Sequence, residues 1–417
     1  MASKITGPKG APDLLPPKSA LYDRIIEAAV RRFRLYGYRR IDTPVFEATE
    51  LFERGLDQAS EIVTKQMYTF TDRGGRSLTL RPDMTAPVVR AVLEHGLDRQ
   101  GLPVKLYYVA PIFRQERPQA GRQRQFTQVG VEAVGSPAPE LDAEVVKLAA
   151  DVYRDQELST TLSLNSVGHP GYRAQYIPVL QEFLRERADR LCEDCRRKIE
   201  TNPLRTFDCK VETDRAIMKE APYITDHLCE PCRDHHDSVK QLLKELGVDF
   251  EEDPTLVRGL DYYTRTAFEF VASGLGSQDA VGGGGRYDGL AEQLGGPSLP
   301  GIGFGLGVER IALALASAGA EPEPLLDVFV ASVGDRGRRQ AFKVASMLRD
   351  AGMSADLDFA GRVLGGQFKA ANRAGAEWVI VIGDKELDAG RYTVRRMSSG
   401  EESSVPQDEL VGFLEKS

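Results

Sequence analysis

Every second residue from Gly301 to Gly307 is a glycine, in the run Gly301-Ile-Gly-Phe-Gly-Leu-Gly-Val-Glu-Arg310. The pattern predicts a strand running into a helix. Alternate glycines strip the side chains from one strand face, so a flat ligand can approach the backbone closely. Arg310 then falls in the first helical turn, where a cation opposes the helix dipole unless an anion accompanies it.

Two further segments carry the same chemical theme. Phe113-Arg-Gln-Glu-Arg-Pro-Gln-Ala-Gly-Arg-Gln-Arg-Gln-Phe-Thr-Gln128 predicts a strand end, a polar loop and a returning strand. Its four arginines in eleven residues make poor core and a good polyphosphate cradle. Arg258-Gly-Leu-Asp-Tyr-Tyr-Thr-Arg-Thr-Ala-Phe-Glu-Phe270 opens as a turn bearing one cation and two phenols. It then alternates, with Thr264, Thr266, Phe268 and Phe270 on one face and Arg265, Ala267 and Glu269 on the other. Read alone, it is either an ordinary turn before a half-buried strand or a site for an anionic, partly aromatic ligand. Gly282-Gly-Gly-Gly-Arg-Tyr-Asp288 follows it.

Around these segments the chain alternates short strands with helices. Residues 17–36 read as an amphipathic helix through Leu21, Ile25, Ala28, Ala29, Arg32 and Phe33, and Tyr38 to Phe46 as a strand containing Pro44. Tyr68–Thr71, Ser77–Leu80, Val104–Ala110 and Gln125–Val134 read as strands, interrupted by a helix from about Asp83 to Leu97. Short loops between them favour an antiparallel sheet with helices on one face, completed by a second strand group from Tyr263 to Gly307. Residues 170–250 are helical and richly charged, with helices at Tyr172–Arg190 and Asp234–Leu246, and read as an insertion. A proline-punctuated linker at Ala320-Glu-Pro-Glu-Pro324 precedes Val328–Val333, Arg338–Ala351, Leu364–Ala374 and Trp378–Ile382. That alternation predicts a small α/β domain with parallel strands.

Together these segments resemble the histidyl-tRNA synthetases, members of the class II aminoacyl-tRNA synthetases. The helix and proline strand resemble motif 1, which forms the dimer interface in that family. Phe-Arg-x-Glu followed by Arg-x-Arg-x-Phe resembles motif 2, and the glycine strand ending in Gly-x-Glu-Arg resembles motif 3. The Arg258 turn and the Gly282 run resemble the two histidine-specific motifs.

The resemblance implies an α+β fold, a class II antiparallel sheet flanked by helices. Its catalytic domain would span residues 1–169 and 251–320, with a helical insertion at 170–250 and an anticodon-binding domain at 325–417. It implies ATP with Mg²⁺, L-histidine and the histidine tRNA as substrates, a homodimer, and no membrane.

Site roles follow by the same resemblance. Arg114 would bind the α-phosphate and the histidine carboxylate, with Arg258 flanking the same phosphorus. Glu116 and Phe126 would hold the adenine, Arg122 the distal phosphates and Arg310 the γ-phosphate. Asp83 and Thr85, in Leu80-Arg-Pro-Asp-Met-Thr85, would bind the α-amino group. Many bacterial members have Glu where this chain has Asp83. Gln128 and Glu132 share a strand face and would also contact histidine, while Tyr262, Tyr263 and Tyr287 surround the imidazole.

One other reading stays open, a non-catalytic regulatory paralogue subunit of ATP phosphoribosyltransferase. The Arg258 turn and residues 325–417 oppose it.

Composition adds exclusions. With 41% hydrophobic residues the 417-residue chain reads as globular, and its longest apolar runs, such as Trp378–Ile382, are strand-length. The start, Met1-Ala-Ser-Lys-Ile-Thr-Gly-Pro-Lys, lacks the apolar core of a signal peptide, so a cytoplasmic protein is expected. A net charge of −8 speaks against a nucleic-acid-coated protein but leaves room for a local basic surface. Five cysteines are then free thiols or metal ligands rather than disulfides. Cys192-Glu-Asp-Cys195 and Cys229-Glu-Pro-Cys232, thirty-three residues apart, fit one tetrahedral structural zinc site or thiols packed between helices. Cys209, His227, His235 and His236 lie nearby in sequence.

Overall fold

An apolar stripe at Tyr22, Ile25, Ala29 and Phe33 makes α1 (Lys18–Leu35) a helix with one buried face. The strand expected after it is interrupted. Only β1 (Arg39–Arg40) and β2 (Phe46–Ala48) are strands, each in a different sheet, and Pro44, which has no N–H to donate, lies in the gap between them. A short helix α2 (Thr49–Gly55) follows β2. Next come β3 (Tyr68–Thr71) and β4 (Ser77–Leu80), which build a three-stranded sheet in the order β2-β4-β3. The structure, a computed structural model, describes residues 5–55, 66–119, 121–257, 262–273, 279–319 and 326–416. Its contacts divide the chain into two units, Met1–Ala320 and Glu321–Ser417.

The first unit is organised by one large sheet. After α3 (Thr85–Glu94), β5 (Val104–Phe113) and β6 (Gln125–Val134) form a long antiparallel hairpin. Helix α4 (Pro139–Asp155) and β7 (Thr160–Ser166) precede the insertion. Its helices are α5 (Pro170–Arg185), α6 (Glu193–Thr201), α7 (Glu212–Met218) and α8 (Glu230–Glu245). The chain then returns through β8 (Glu251–Glu252), β9 (Thr264–Ala272), β10 (Ala280–Arg286), α9 (Leu290–Gln293), β11 (Gly301–Gly307) and α10 (Val308–Ser317). The eight strands lie in the order β1-β5-β6-β11-β10-β9-β7-β8, antiparallel except at the two edges.

Thus β11, expected as a bare strand, lies between β6 and β10 in the middle of the sheet. The α1, α4 and α10 helices cover one face through Phe33, Val145, Leu148 and Ile311, while α3 and α9 bury Val88, Val92 and Leu290 in a second core.

The insertion is not uniform. Tyr176, Leu180, Leu184, Ile199, Ile217 and Met218 form a small core of its own. Helix α8 instead buries Val239 and Leu243 in the core of the large sheet. The small core is therefore supplied by the segment from α5 to the turn before α8.

The second unit contains β12 (Leu326–Ser332), α11 (Gly334–Asp350), β13 (Ala355–Leu357), α12 (Leu364–Arg373) and β14 (Ala376–Ile382). It continues through α13 (Asp384–Ala389), β15 (Arg391–Arg396), β16 (Glu402–Pro406) and α14 (Leu410–Leu414). Its sheet order is β13-β12-β14-β15-β16. The first three strands are parallel, as expected, but β15 and β16 add an antiparallel hairpin absent from the sequence reading.

Candidate active site

The glycine alternation of β11 is explained by what lies across it. Gly303 pairs with Glu132 and Gly307 with Gln128. A Cβ at Gly303 would collide with the Glu132 carboxylate, at Gly305 with the Gln128 amide, and at Gly301 with the Tyr287 ring. The face freed of side chains is thus filled by three side chains of the protein itself. Each of them is a residue singled out in the sequence.

These side chains join a buried hydrogen-bonded chain. Tyr287 Oη donates to Glu132 Oε2 at 2.7 Å, and Thr85 Oγ1 donates to Glu132 Oε1 at 2.9 Å. Tyr262 Oη lies 3.2 Å from Thr85 Oγ1 and 3.3 Å from Asp83 Oδ2, which also accepts from Thr85 N at 3.0 Å. Tyr263 packs edge-on to Tyr262 with ring centroids 5.0 Å apart, and Tyr287 does so from the other side at 6.0 Å. Asp83, Thr85, Glu132 and the three tyrosines therefore form one buried cluster, and Gln128 faces the same glycine strand as Glu132.

Burial sets the electrostatics of that cluster. Glu132 is 1% exposed, and desolvation pushes its carboxyl up to about 8 in spite of the Tyr287 and Thr85 donors. Burial also raises Asp83, against the opposing charge of Arg114. Burial thus leaves two carboxyl groups of one hydrogen-bonded cluster with raised proton affinity.

The arginine-rich segment adjoins this cluster. It folds back as expected, with Arg114 N donating to Arg124 O and Gln119 bridging Arg122. Arg114 Nε donates to Pro82 O at 3.0 Å, and its guanidinium lies over the Phe126 ring at 5.4 Å. Arg122 approaches Glu116 at 3.4 Å. Arg310 donates from Nε to Gly121 O at 3.2 Å and from Nη1 to Ala280 O. Burial first, then repulsion from Arg122 and Arg114, hold Arg310 below the ordinary arginine range. The cations anticipated from two distant segments crowd one another, and a bound anion would relieve that crowding. Arg258 lies outside the described residues.

The family model for histidyl-tRNA synthetase matches residues 10–311, and that for the anticodon binding domain matches residues 327–417. A histidine–tRNA ligase of Halothermothrix orenii is 48% identical over 415 residues, covering 99% of each chain. One from Moorella thermoacetica is 50% identical over 412 residues, covering 98% of this chain and 97% of its own.

The chain belongs to the histidyl-tRNA synthetase family.

The crystal structure of the apo histidyl-tRNA synthetase of S. aureus, 39% identical, superposes with a TM-score of 0.77, covering 99% of this chain and 100% of that one. The fold is accordingly the α+β arrangement of a histidyl-tRNA synthetase, with a large antiparallel sheet flanked by helices.

Two residues packed beside the Glu132 cluster, Tyr108 and Asp142, went unnoticed in the sequence. Tyr108 Oη reaches Gln128 Oε1 at 3.3 Å and Phe304 O at 3.4 Å, under the glycine at position 130. Asp142 and Arg286 form an ion pair that is 0% exposed on both sides. Asp142 also accepts from Thr266 Oγ1 at 2.6 Å and meets His235 Nε2 at 2.8 Å. Burial would raise its carboxyl, but the His235 hydrogen bond and the Arg286 charge outweigh that and hold it low. This cluster ties α4, α8, β9 and β10 together beside Tyr287. The sequence had offered Arg286 in the glycine-rich motif, Thr266 on its strand face and His235 near the cysteines, but nothing that set Asp142 among them.

The cysteine pairs correct one expectation. They do not converge on a single ion. Cys192 and Cys195 gather with Cys209 and Asp214, whereas Cys229 and Cys232 gather with His169. The physical reason is the division of the insertion, because Cys195 belongs to its small core and Cys229 and Cys232 to a separate cluster with Leu228.

Proposed function

We infer that the protein activates L-histidine with ATP and transfers it to the 3′ end of the histidine tRNA, releasing pyrophosphate and then AMP. The observation that carries this reading is the continuous buried set of Asp83, Thr85, Glu132, Tyr262 and Tyr287 beside the arginines of the β5–β6 turn. A recess for an amino acid directly adjoins a cradle for phosphates.

In this assignment Asp83, Thr85 and Gln128 hold the substrate's α-ammonium group. Glu132, Tyr262, Tyr263 and Tyr287 enclose the imidazole. Neutral imidazole offers one donor and one acceptor, so a wall that answers both rejects apolar analogues by about 10⁴–10⁵. Phe126 stacks on the adenine with Glu116 at its edge, Arg122 meets the distal phosphates, and Arg310 meets the γ-phosphate of the MgATP substrate.

The histidine carboxylate attacks the α-phosphorus in line, forming a phosphorus–oxygen bond as the bond to pyrophosphate breaks. The carboxylate is already ionised, so the protein supplies no base at this step. Arg114 and Arg258 offset the charge that builds on the phosphoryl oxygens. The tRNA 3′-hydroxyl then takes the acyl group, and AMP leaves.

Residues 1–169 and 251–320 are assigned to catalysis, 170–250 to the insertion and 325–417 to anticodon binding. A cytoplasmic homodimer completes the reading, paired through the motif 1 segment. Exposed Phe46 and Phe70, in edge contact at 6.3 Å, support that interface. No helix among the described residues is long and apolar enough to cross a membrane.

Pyrophosphate exchange into ATP, assayed with each amino acid in turn, tests the assignment. Exchange should require histidine, and absence of exchange with every amino acid would favour the regulatory paralogue. Arg258→Ala should depress the adenylation rate by roughly 10²–10³ with little change in ATP affinity. A normal rate in that variant would remove Arg258 from the chemistry.

A further inference from the structure

Cys192, Cys195, Cys209 and Asp214 present three sulfurs and one carboxylate oxygen, all within 4.8 Å of one another. They come from four points on the chain. Cys192 caps α6, Cys195 lies in its first turn, Cys209 follows a 3-10 turn, and Asp214 lies in the first turn of α7. Asp214 is 0% exposed and Cys195 is buried.

The separations have a specific meaning. Zinc takes thiolates at about 2.3 Å and carboxylate oxygens at about 2.0–2.2 Å in tetrahedral sites, which sets donor edges of roughly 3.8 Å for S–S and 3.5 Å for S–O. Cys192 Sγ and Cys209 Sγ are 3.9 Å apart, and Cys209 Sγ and Asp214 Oδ2 are 3.4 Å apart. A disulfide would need the sulfurs to close to about 2.05 Å.

The surroundings support the ligands as well. Cys192 Sγ accepts from Cys195 N at 3.4 Å, so a backbone donor already faces the sulfur. The Asp214 carboxylate accepts from Cys192 N at 3.1 Å, which fixes its direction toward the sulfurs. The core around them is small, and small cores are commonly completed by a metal or disulfides.

We propose that Cys192, Cys195, Cys209 and Asp214 form a closed structural zinc site that staples the insertion, independent of Cys229 and Cys232. Soft sulfur donors select zinc over the hard cations that accompany nucleotides, and four protein donors leave no open position for catalysis. On binding, the three thiols release their protons to solvent and the carboxylate stays ionised. The metal holds α6, the 3-10 turn and α7 around one point.

Metal analysis of full-length protein purified without chelator, together with cobalt(II) titration of the chelator-treated protein, tests this. Wild type should contain at least one zinc per chain, and cobalt should give a thiolate charge-transfer band with tetrahedral visible bands. Cys229→Ser/Cys232→Ser should keep that zinc and that spectrum. Cys209→Ser should lower the charge-transfer intensity, and Asp214→Asn should weaken cobalt binding at least about tenfold. Asp214→Cys should retain the metal. Should Cys209→Ser not fold, the wild-type titration still decides. A wild-type protein with no zinc and no cobalt–thiolate band would overturn the proposal. So would zinc that disappears with Cys229 and Cys232, or a Cys192–Cys209 disulfide in protein isolated under reducing conditions.

Discussion

The catalytic recess and the insertion both bury polar side chains, and they do so on very different foundations. The recess lies on an eight-stranded sheet, with extensive apolar cores on both faces. The insertion has a core of a few leucines, isoleucines and one tyrosine. On the large foundation, buried carboxyl groups can be left with raised proton affinity, ready for a ligand. On the small one, three thiols and a carboxylate are drawn together, the arrangement proposed above as a metal cross-link. A large apolar core can carry carboxyl groups of raised proton affinity as well as paired charges, whereas in the small one the buried polar groups lie against one another.

The strongest way to break this comparison is to attack the large sheet through its own ion pair. Asp142→Asn removes one of the two carboxylates paired with the buried Arg286, and should cost about 3–5 kcal/mol of stability. Denaturant unfolding measures it. A cost below about 1 kcal/mol would mean that the sheet does not depend on this pair.

A smaller but more local effect is expected at Gly303. Gly303→Ala places a methyl group against the Glu132 carboxylate and the Val131 carbonyl. Overpacking of this kind costs about 1–3 kcal/mol. Misplacing Glu132 by an ångström should lower histidine-dependent exchange about 10²-fold. Exchange rates measured beside a melting curve separate these two effects.

The contrast with the insertion sharpens under chelation. Removing zinc should raise amide exchange in residues 193–218 and leave the β6 and β11 amides protected. Equal loosening of both regions would show that the insertion is not stapled independently.

The subtlest effect is a proton. Glu132 is pushed up to about 8, so the folded protein holds an extra proton between its ordinary value of 4.5 and about 8. The stability contributed by this group is therefore greatest at low pH and falls as pH rises through that window. A cation or N–H donor beside Glu132 favours the carboxylate, so histidine binding should expel up to one proton, and affinity should rise with pH toward 8. Calorimetry in buffers of different ionisation heat measures the release, and Glu132→Gln should abolish this part of it.

The legible part of the molecule was the part with short-range pattern. The β5–β6 hairpin and α1 were visible as local pattern, while Asp83, Thr85, Glu132 and Tyr287, which the fold joins by hydrogen bonds, were singled out by resemblance. The glycine alternation was visible too, but its meaning was only half read. It clears room for Tyr287, Glu132 and Gln128, whose positions depend on strand pairing across the sheet. Asp142 looked like any acid near a helix start until tertiary packing set it against Arg286, Thr266 and His235. The cysteines misled because sequence spacing is symmetrical between the pairs, whereas the fold pairs each with different neighbours. The β15–β16 hairpin was recoverable, since Tyr392 and Val394 alternate with polar residues before a turn at Ser398-Ser-Gly400.

The fit of β11 against its neighbours also bears on how this protein can change over generations. Adding bulk at Gly301, Gly303 or Gly305 displaces Tyr287, Glu132 or Gln128, the side chains proposed above to meet histidine, and trimming one of them to make room would delete that proposed contact. On that assignment, single substitutions in either direction should lose function. Reaching a differently shaped pocket would take paired changes on two strands at once, so a new amino-acid preference lies across a valley in sequence space.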